Sequence, residues 1–450
     1  MPDPAGFPHS DGPGRTATDL AAEAWGAART WFLPHGETQG NLAACLAIRA
    51  ARGRHVVVQR DVHPSVVAGL VAAELAPHWL APELDPIAGV AHGVAPAALD
   101  AALTAAPGAG AAIVVAPTRH GAMPDVAALA AVARGHDAAL VVDDEWGAHL
   151  PFHPALPRHA IAAGADLVVS ATWRSLGSVS GSAMLHQGAV AERRLPAGAI
   201  EQAVARSDAP PPSAAAGTGS YGPPSLALAS LDATRARAVA HGERLFDATL
   251  RAAATARARL TGLPGVRVLG AEPVGAPGVH GFDPLRLTVD LHDTRRDARS
   301  VGRALRERHG IEVELATDRL LVAVLGIGDG QLGLAERFAA ALLDTLWTIP
   351  PGDGPITSLP PAQPGPALCT PRAAWLAPQE RVPAAAAVGR IAAETLTPYP
   401  PGVPAVLPGE RLEADVVATL RAVVGAGGVV SGSADGLATF GVAVLSPPRN

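Results

Sequence analysis

Three short apolar runs constrain this chain more than any other feature. Residues 111–116 (AAIVVA), 139–142 (ALVV) and 166–170 (DLVVS) are rich in β-branched side chains and show no polar alternation. A strand with one face in water alternates polar and apolar residues, so an unbroken apolar run that stops at polar residues reads as a strand covered on both faces. Between the first two lies 125–135 (DVAALAAVARG), which starts at an aspartate, keeps helical spacing and stops at glycine. Strand, helix and strand in this order build right-handed βαβ units and a mostly parallel sheet. Functional groups then collect beyond the carboxyl ends of the strands.

The rest of the chain is expected to elaborate this α/β unit. Residues 209–216 (APPPSAAA) read as a connector and 226–256 as one long helix with Arg235, Arg237 and Arg251 on a polar face. Segments 284–290, 298–309 and 320–324 form a smaller α+β unit, closed by a helix from about 329 to 346. Proline or glycine recurs at nearly every third position of 349–368, which marks a linker. In the tail, a helix is expected near 382–395, a proline-rich turn at 398–408 and a helix near 414–424. The expected domains are 1–262, 263–348 and 369–450, with 349–368 joining the last two.

Composition narrows the function. A formal net charge of −6 offers no basic surface to neutralise phosphates, so nucleic acid is not expected as a partner. No unbroken run of apolar residues is long enough to span a membrane, and residues 1–16 lack the apolar core of a signal peptide. Cys45 and Cys369 lie far apart and match no ligand spacing, so a reducing, cytoplasmic compartment is expected. All 35 residues of the Lys+Arg total are arginine, and the chain has no lysine. Schiff bases, lysine general bases and phosphate-loop lysines are thereby excluded.

Three local patterns carry chemistry or imitate it. Gly217, Gly219 and Gly222 fit a dinucleotide glycine pattern, but follow a proline-rich connector and not a strand. Glu145, His149 and His153 fall at i, i+4, i+8, yet Gly147 and Pro151 interrupt any helix there, so no metal site is expected. Asp143 stands just past a buried strand, where a carboxylate can meet a cationic ring nitrogen or cap a helix.

Several blocks, in order, resemble the Orn/Lys/Arg decarboxylase family, fold-type-I enzymes that use pyridoxal phosphate (PLP), in its shorter bacterial form with a carboxyl-terminal domain. They are Leu33-Pro-His-Gly36-Glu-Thr38-Gln-Gly40-Asn41, Gln59-Arg-Asp-Val-His63-Pro-Ser65, Ala116-Pro-Thr-Arg-His-Gly121, the Asp143 segment with Phe152-His-Pro-Ala-Leu-Pro157, and Gly164-Ala-Asp-Leu-Val-Val-Ser-Ala-Thr-Trp-Arg174. Tail blocks are Glu394, Tyr399-Pro-Pro-Gly-Val-Pro404 and Pro408-Gly-Glu410. The resemblance implies a fold-type-I large domain with a mostly parallel sheet, a smaller α+β domain and a carboxyl-terminal domain. It implies that Gly36 and Thr38 cradle the cofactor phosphate, that His63 stacks on the pyridine ring and that Asp143 holds the ring nitrogen protonated. His149 is expected beside the same cofactor.

Departures from the family pattern fall on the chemistry. The Ser-x-His-Lys block, whose lysine carries the internal aldimine, reads Ala171-Thr172-Trp173-Arg174 here. Arginine stays protonated and cannot take over imine formation. Where the family places alanine and then histidine after its aspartate, Glu145 and Trp146 follow Asp143, and Arg119 replaces a tyrosine. The expected protein is therefore a pseudoenzyme with no covalently bound cofactor, in which Arg174 pairs with Asp143 or Glu145 while Trp146 and Trp173 fill the ring's volume. The alternative is an amino-acid enzyme, decarboxylase-like, holding PLP or pyridoxamine phosphate without a covalent bond, with proton transfer left to His63, His149 or water. The family also implies a homodimer, or a heterodimer with a catalytic paralogue, and by analogy a basic amino acid as small-molecule ligand.

Overall fold

Seven strands form the central sheet of the computed structural model, which describes residues 16–208, 225–351, 364–399, 402–425 and 427–445. They are Arg29–Leu33 (β1), His55–Gln59 (β2), Ala76–Leu80 (β3), Ala109–Val115 (β4), Ala139–Asp144 (β5), Leu167–Ser170 (β6) and Ala183–Gln187 (β7), in the order β1-β7-β6-β5-β4-β2-β3. From β3 across to β6 all neighbours are parallel, and β7 alone runs against both β6 and β1. The three apolar runs are β4, β5 and β6, and every residue in them is buried.

Period-two geometry divides these side chains between two cores. Ala112, Val114, Leu140, Val142 and Val168 pack on one face, and Ala111, Ile113, Ala139, Val141, Leu167 and Val169 on the other. Each fully buried valine or leucine is worth roughly 1.5–3 kcal/mol, which is why the interior of each run is apolar and polar residues stand only at its ends. The helix Val126–Gly135 begins where expected, with the Asp125 side chain accepting the Ala128 N–H at 2.9 Å.

The first core continues beyond the sheet through Phe246 of the long helix Ser225–Thr261 to Val289 and Leu342. Those two lie on Arg286–Asp290 and Leu334–Thr348, parts of a four-stranded antiparallel sheet and its covering helix. The connector at 209–216, the glycine pattern at 217–222 and most of the linker at 349–368 lie outside the described residues. No helix among the described residues is long and apolar enough to cross a membrane.

The tail departs from expectation at one element. Instead of a helix near 382–395 there is a strand, Gln379–Pro383, one helical turn, Ala384–Ala387, and a second strand, Ile391–Ala392. Gly389 sits at φ +82° and ends the turn, and both strands pair with Thr439–Ala443. An alanine run this short cannot offset helix nucleation against a sheet that satisfies its neighbours' backbone groups. The helix near 414–424 forms as Ala414–Gly425.

One buried ion pair ties the tail to the sheet. Arg60, just past β2, meets Glu410 through Nη1–Oε1 at 2.6 Å and Nη2–Oε2 at 2.7 Å, and its Nε donates to the Pro404 carbonyl at 2.7 Å. Both side chains are nearly inaccessible to solvent. This clamp sets the strand Thr397–Tyr399 over the ends of the parallel strands.

Candidate functional site

The parallel strands deliver their polar residues to one place. Asp143 ends the apolar stretch of β5 and is buried; its Oδ2 accepts the backbone N–H of His63 at 3.2 Å, while Oδ1 has no hydrogen-bond partner among the described residues. Burial, reinforced by the Glu145 charge, pushes the Asp143 carboxyl up to about 7. His63 precedes the helix Pro64–Ala72 (α3), and its Nδ1 lies 2.7 Å from Ser65 Oγ.

The raised Asp143 pKa has a signed consequence. Between its ordinary 3.8 and about 7 the folded state binds the extra proton, so the Asp143 contribution to stability falls as pH rises through that window and stays low above it. Asp143→Asn, which keeps an acceptor for the His63 N–H, is expected to gain on the wild type by on the order of a few kcal/mol between about pH 5 and about pH 8. Urea unfolding at the two pH values measures the difference; a constant gap would show that Asp143 is ionised throughout.

Arg174 lies on the single helical turn Thr172–Ser175 that follows β6. Its guanidinium carbon is 4.2 Å from the Trp146 ring centroid and 4.4 Å from that of Trp173, so the cation is sandwiched between two indoles. Nη2 bonds Glu145 Oε1 and stands 3.6 Å from Glu37 Oε1; Nη1 stands 3.7 Å from Glu314 Oε1. Trp173 Nε1 donates to Glu37 Oε2 at 3.2 Å, and Arg286 donates to the buried Trp146 carbonyl at 2.5 Å. Arg174 thus pairs with Glu145, as one of the two expected arrangements required, and not with Asp143. The indoles flank the guanidinium.

The expected phosphate cradle is differently furnished. Gly36 opens the helix Gly36–Arg52 (α2) at φ +73°, and a Cβ there would come within 2.4 Å of the Gly181 carbonyl, so that loop closes over the helix start. Thr38 is exposed, whereas the charged residue buried in this first turn is Glu37, a carboxylate at the helix end that favours anions. Glu37 and Glu314 are the site residues that sequence reasoning missed. Glu37 was legible as an acid between Gly36 and Thr38; nothing local marks Glu314.

His149 does not reach this site. It is wholly buried, with Nε2 3.2 Å from Asp283 Oδ2 and its ring against Phe246. A Cβ on Gly147 would strike Asp144 Oδ1 at 2.1 Å, so the chain turns sharply after Trp146 and carries His149 away. His153 meets Asp247 at 3.1 Å, so Glu145, His149 and His153 face three different partners.

What remains open beside Asp143 is a cavity of about 100 Å³, lined among others by His63, Arg119, Asp143, Glu145, Trp146 and Tyr399. Tyr399 therefore reaches the pocket from the tail. Glu394 does not: it accepts the Gly441 N–H at 2.7 Å and pairs with Arg381.

Comparison with known proteins matches this arrangement to one family. The Orn/Lys/Arg decarboxylase major domain matches residues 7–332, and the carboxyl-terminal domain of the same family matches residues 368–426. The arginine decarboxylase of Bacillus subtilis (strain 168) is 31% identical over 428 residues, covering 94% of this chain and 83% of that protein. The lysine decarboxylase A structure from Pseudomonas aeruginosa superposes with a TM-score of 0.74 at 21% identity, covering 95% of this chain and 71% of that one. A structure of SPT with a PLP internal aldimine shares the fold at TM-score 0.51 and 17% identity, covering 73% of this chain and 76% of that one.

PLP is thus the group against which the pocket is measured. Asp143 Oδ1, buried and without a partner, suits a pyridinium N–H. The remaining features do not suit the cofactor. There is no lysine to bond it, a carboxylate stands in the first turn of α2 where a phosphate would be drawn, and about 100 Å³ is far below the roughly 300–1,000 Å³ of small-molecule sites. As arranged, these residues do not fit PLP.

Proposed function

The chain belongs to the Orn/Lys/Arg decarboxylase family, and from that premise we propose that it is a pseudoenzyme: a member that has exchanged Schiff-base chemistry for a pocket closed by its own side chains. The observation that carries this reading is Arg174, clamped between Trp146 and Trp173 and held by Glu145 at the position where the resemblance places the reactive lysine. A guanidinium is no nucleophile and forms no imine. Binding, to a second copy in a homodimer or to a catalytic paralogue in a heterodimer, is the role left to it, in a cytoplasmic compartment that keeps Cys45 and Cys369 reduced.

Assaying the purified protein with arginine, lysine and ornithine in the presence of PLP tests the reading. Carbon dioxide release is expected at the rate of free PLP alone. Release that saturates with any of these substrates and scales with protein would overturn it and favour the second reading, PLP or pyridoxamine phosphate held without a covalent bond, which the unpartnered Asp143 Oδ1 supports. Co-purification from the native host separates the two assemblies: a lysine-bearing paralogue accompanies the chain only in the heterodimer.

A further inference from the structure

We propose that the cavity beside Asp143 binds a small zwitterion, an α-amino acid of glycine or alanine size, with its ammonium on Asp143 and its carboxylate on Arg119. This inference rests on the reading that PLP does not occupy the pocket.

The charged groups of the lining are not all spent on one another. Glu145 is bonded by Arg174, and Asp61 Oδ1 accepts the Gln59 amide at 2.9 Å. Asp143 Oδ1 is buried and has no partner among the described residues. The Arg119 guanidinium, 5.6 Å from the Trp146 ring centroid, makes no hydrogen bond or ion pair among them either. An acid and a cation thus line one cavity without meeting each other. Charges withdrawn from water are ordinarily paired, so a molecule carrying both signs answers both at once. A carboxylate matches the flat guanidinium fork through two parallel N–H bonds. An ammonium supplies the donor that Asp143 Oδ1 lacks, and the rise of the Asp143 carboxyl to about 7 is what a buried acid without a counter-ion shows.

Two histidines add neutral partners. His120 is buried and its Nδ1 has no hydrogen bond among the described residues; burial and the neighbouring Arg119 charge drive it down to about 3, so the ring is neutral and offers one donor and one acceptor. His63 Nδ1 accepts the Ser65 N–H at 3.2 Å, which leaves the proton on Nε2 as a donor. Size sets the upper limit. A cavity of roughly 150 Å³ takes benzene, so about 100 Å³ admits about five heavy atoms, as many as glycine has. Arginine and lysine are about twice as large, and their second cation would meet Arg119 or Arg174. Asp61, His63, Arg119 and Tyr399 are only half-buried, so the cavity communicates with solvent.

Equilibrium dialysis of the full chain against radiolabelled glycine, and separately alanine, tests the site. One saturable site is expected, no tighter than about micromolar for so small a molecule. Arg119→Gln and Asp143→Asn should each weaken it about tenfold or more, the scale of one charge-assisted hydrogen bond. Neither residue is paired with another charge, and asparagine keeps an acceptor for the His63 N–H, so both variants should fold. Acetate and methylammonium, each carrying one end only, should compete about tenfold more weakly than unlabelled glycine, and arginine should not compete. No saturable uptake of glycine or alanine, uptake unchanged in either variant, or competition by arginine equal to that by glycine would overturn the proposal. A PLP chromophore retained by the same protein would sink the earlier reading, whereas a colourless protein that takes up neither amino acid sinks this one alone.

Discussion

Arg174→Leu is expected to destabilise the protein by about 3–5 kcal/mol, the usual cost of removing one partner from a buried ion pair. The substitution leaves Glu145 and Glu37, both buried, facing a hydrocarbon side chain, and it removes a cation stacked on two indoles. Urea unfolding should show the loss as a lower midpoint at unchanged slope. The double variant Arg174→Leu, Glu145→Gln should recover a large part of it, because the deficit comes from an uncompensated carboxylate and not from lost volume. If the double variant is no more stable than the single one, Arg174 acts by packing alone.

Arg60→Met should be nearly as costly, by about 3 kcal/mol or more, and its effect should be localised. Methionine matches the length of the arginine stem but abandons Glu410 and the Pro404 carbonyl in a site closed to water. The tail should then melt separately from the parallel sheet, giving two transitions in place of one, and limited proteolysis should release it first. Because Thr397 and Tyr399 line the cavity from that tail, the pocket should open in the same variant. A single cooperative transition with only a small shift would show that the pair contributes no more than a surface salt bridge.

The sequence made the sheet legible because burial on both faces leaves little freedom: β4, β5 and β6 are apolar up to their last residues, and the polar residues at the ends of β5 and β6 mark where the site lies. Asp125 announced its helix by capping chemistry, and Arg174 marked the site by standing where the resemblance places the reactive lysine. The helix expected near 382–395 failed because Gly389 and pairing with Thr439–Ala443 outweighed the helix preference of an alanine run. His149 was misplaced because nearness in sequence to Asp143 does not survive the sharp turn at Gly147. The partners of Arg174 were only half legible: Glu145 is two residues from Asp143, but Glu37 and Glu314 are brought in by the start of α2 and by the smaller sheet, a matter of tertiary packing that no local pattern records.

The most direct test is to equilibrate the purified protein with PLP, desalt it and record the absorption spectrum. A pocket closed by Arg174, Trp146 and Glu37 should retain no PLP chromophore. A stoichiometric chromophore surviving desalting would contradict the closed pocket and return the protein to the PLP-binding members of its family.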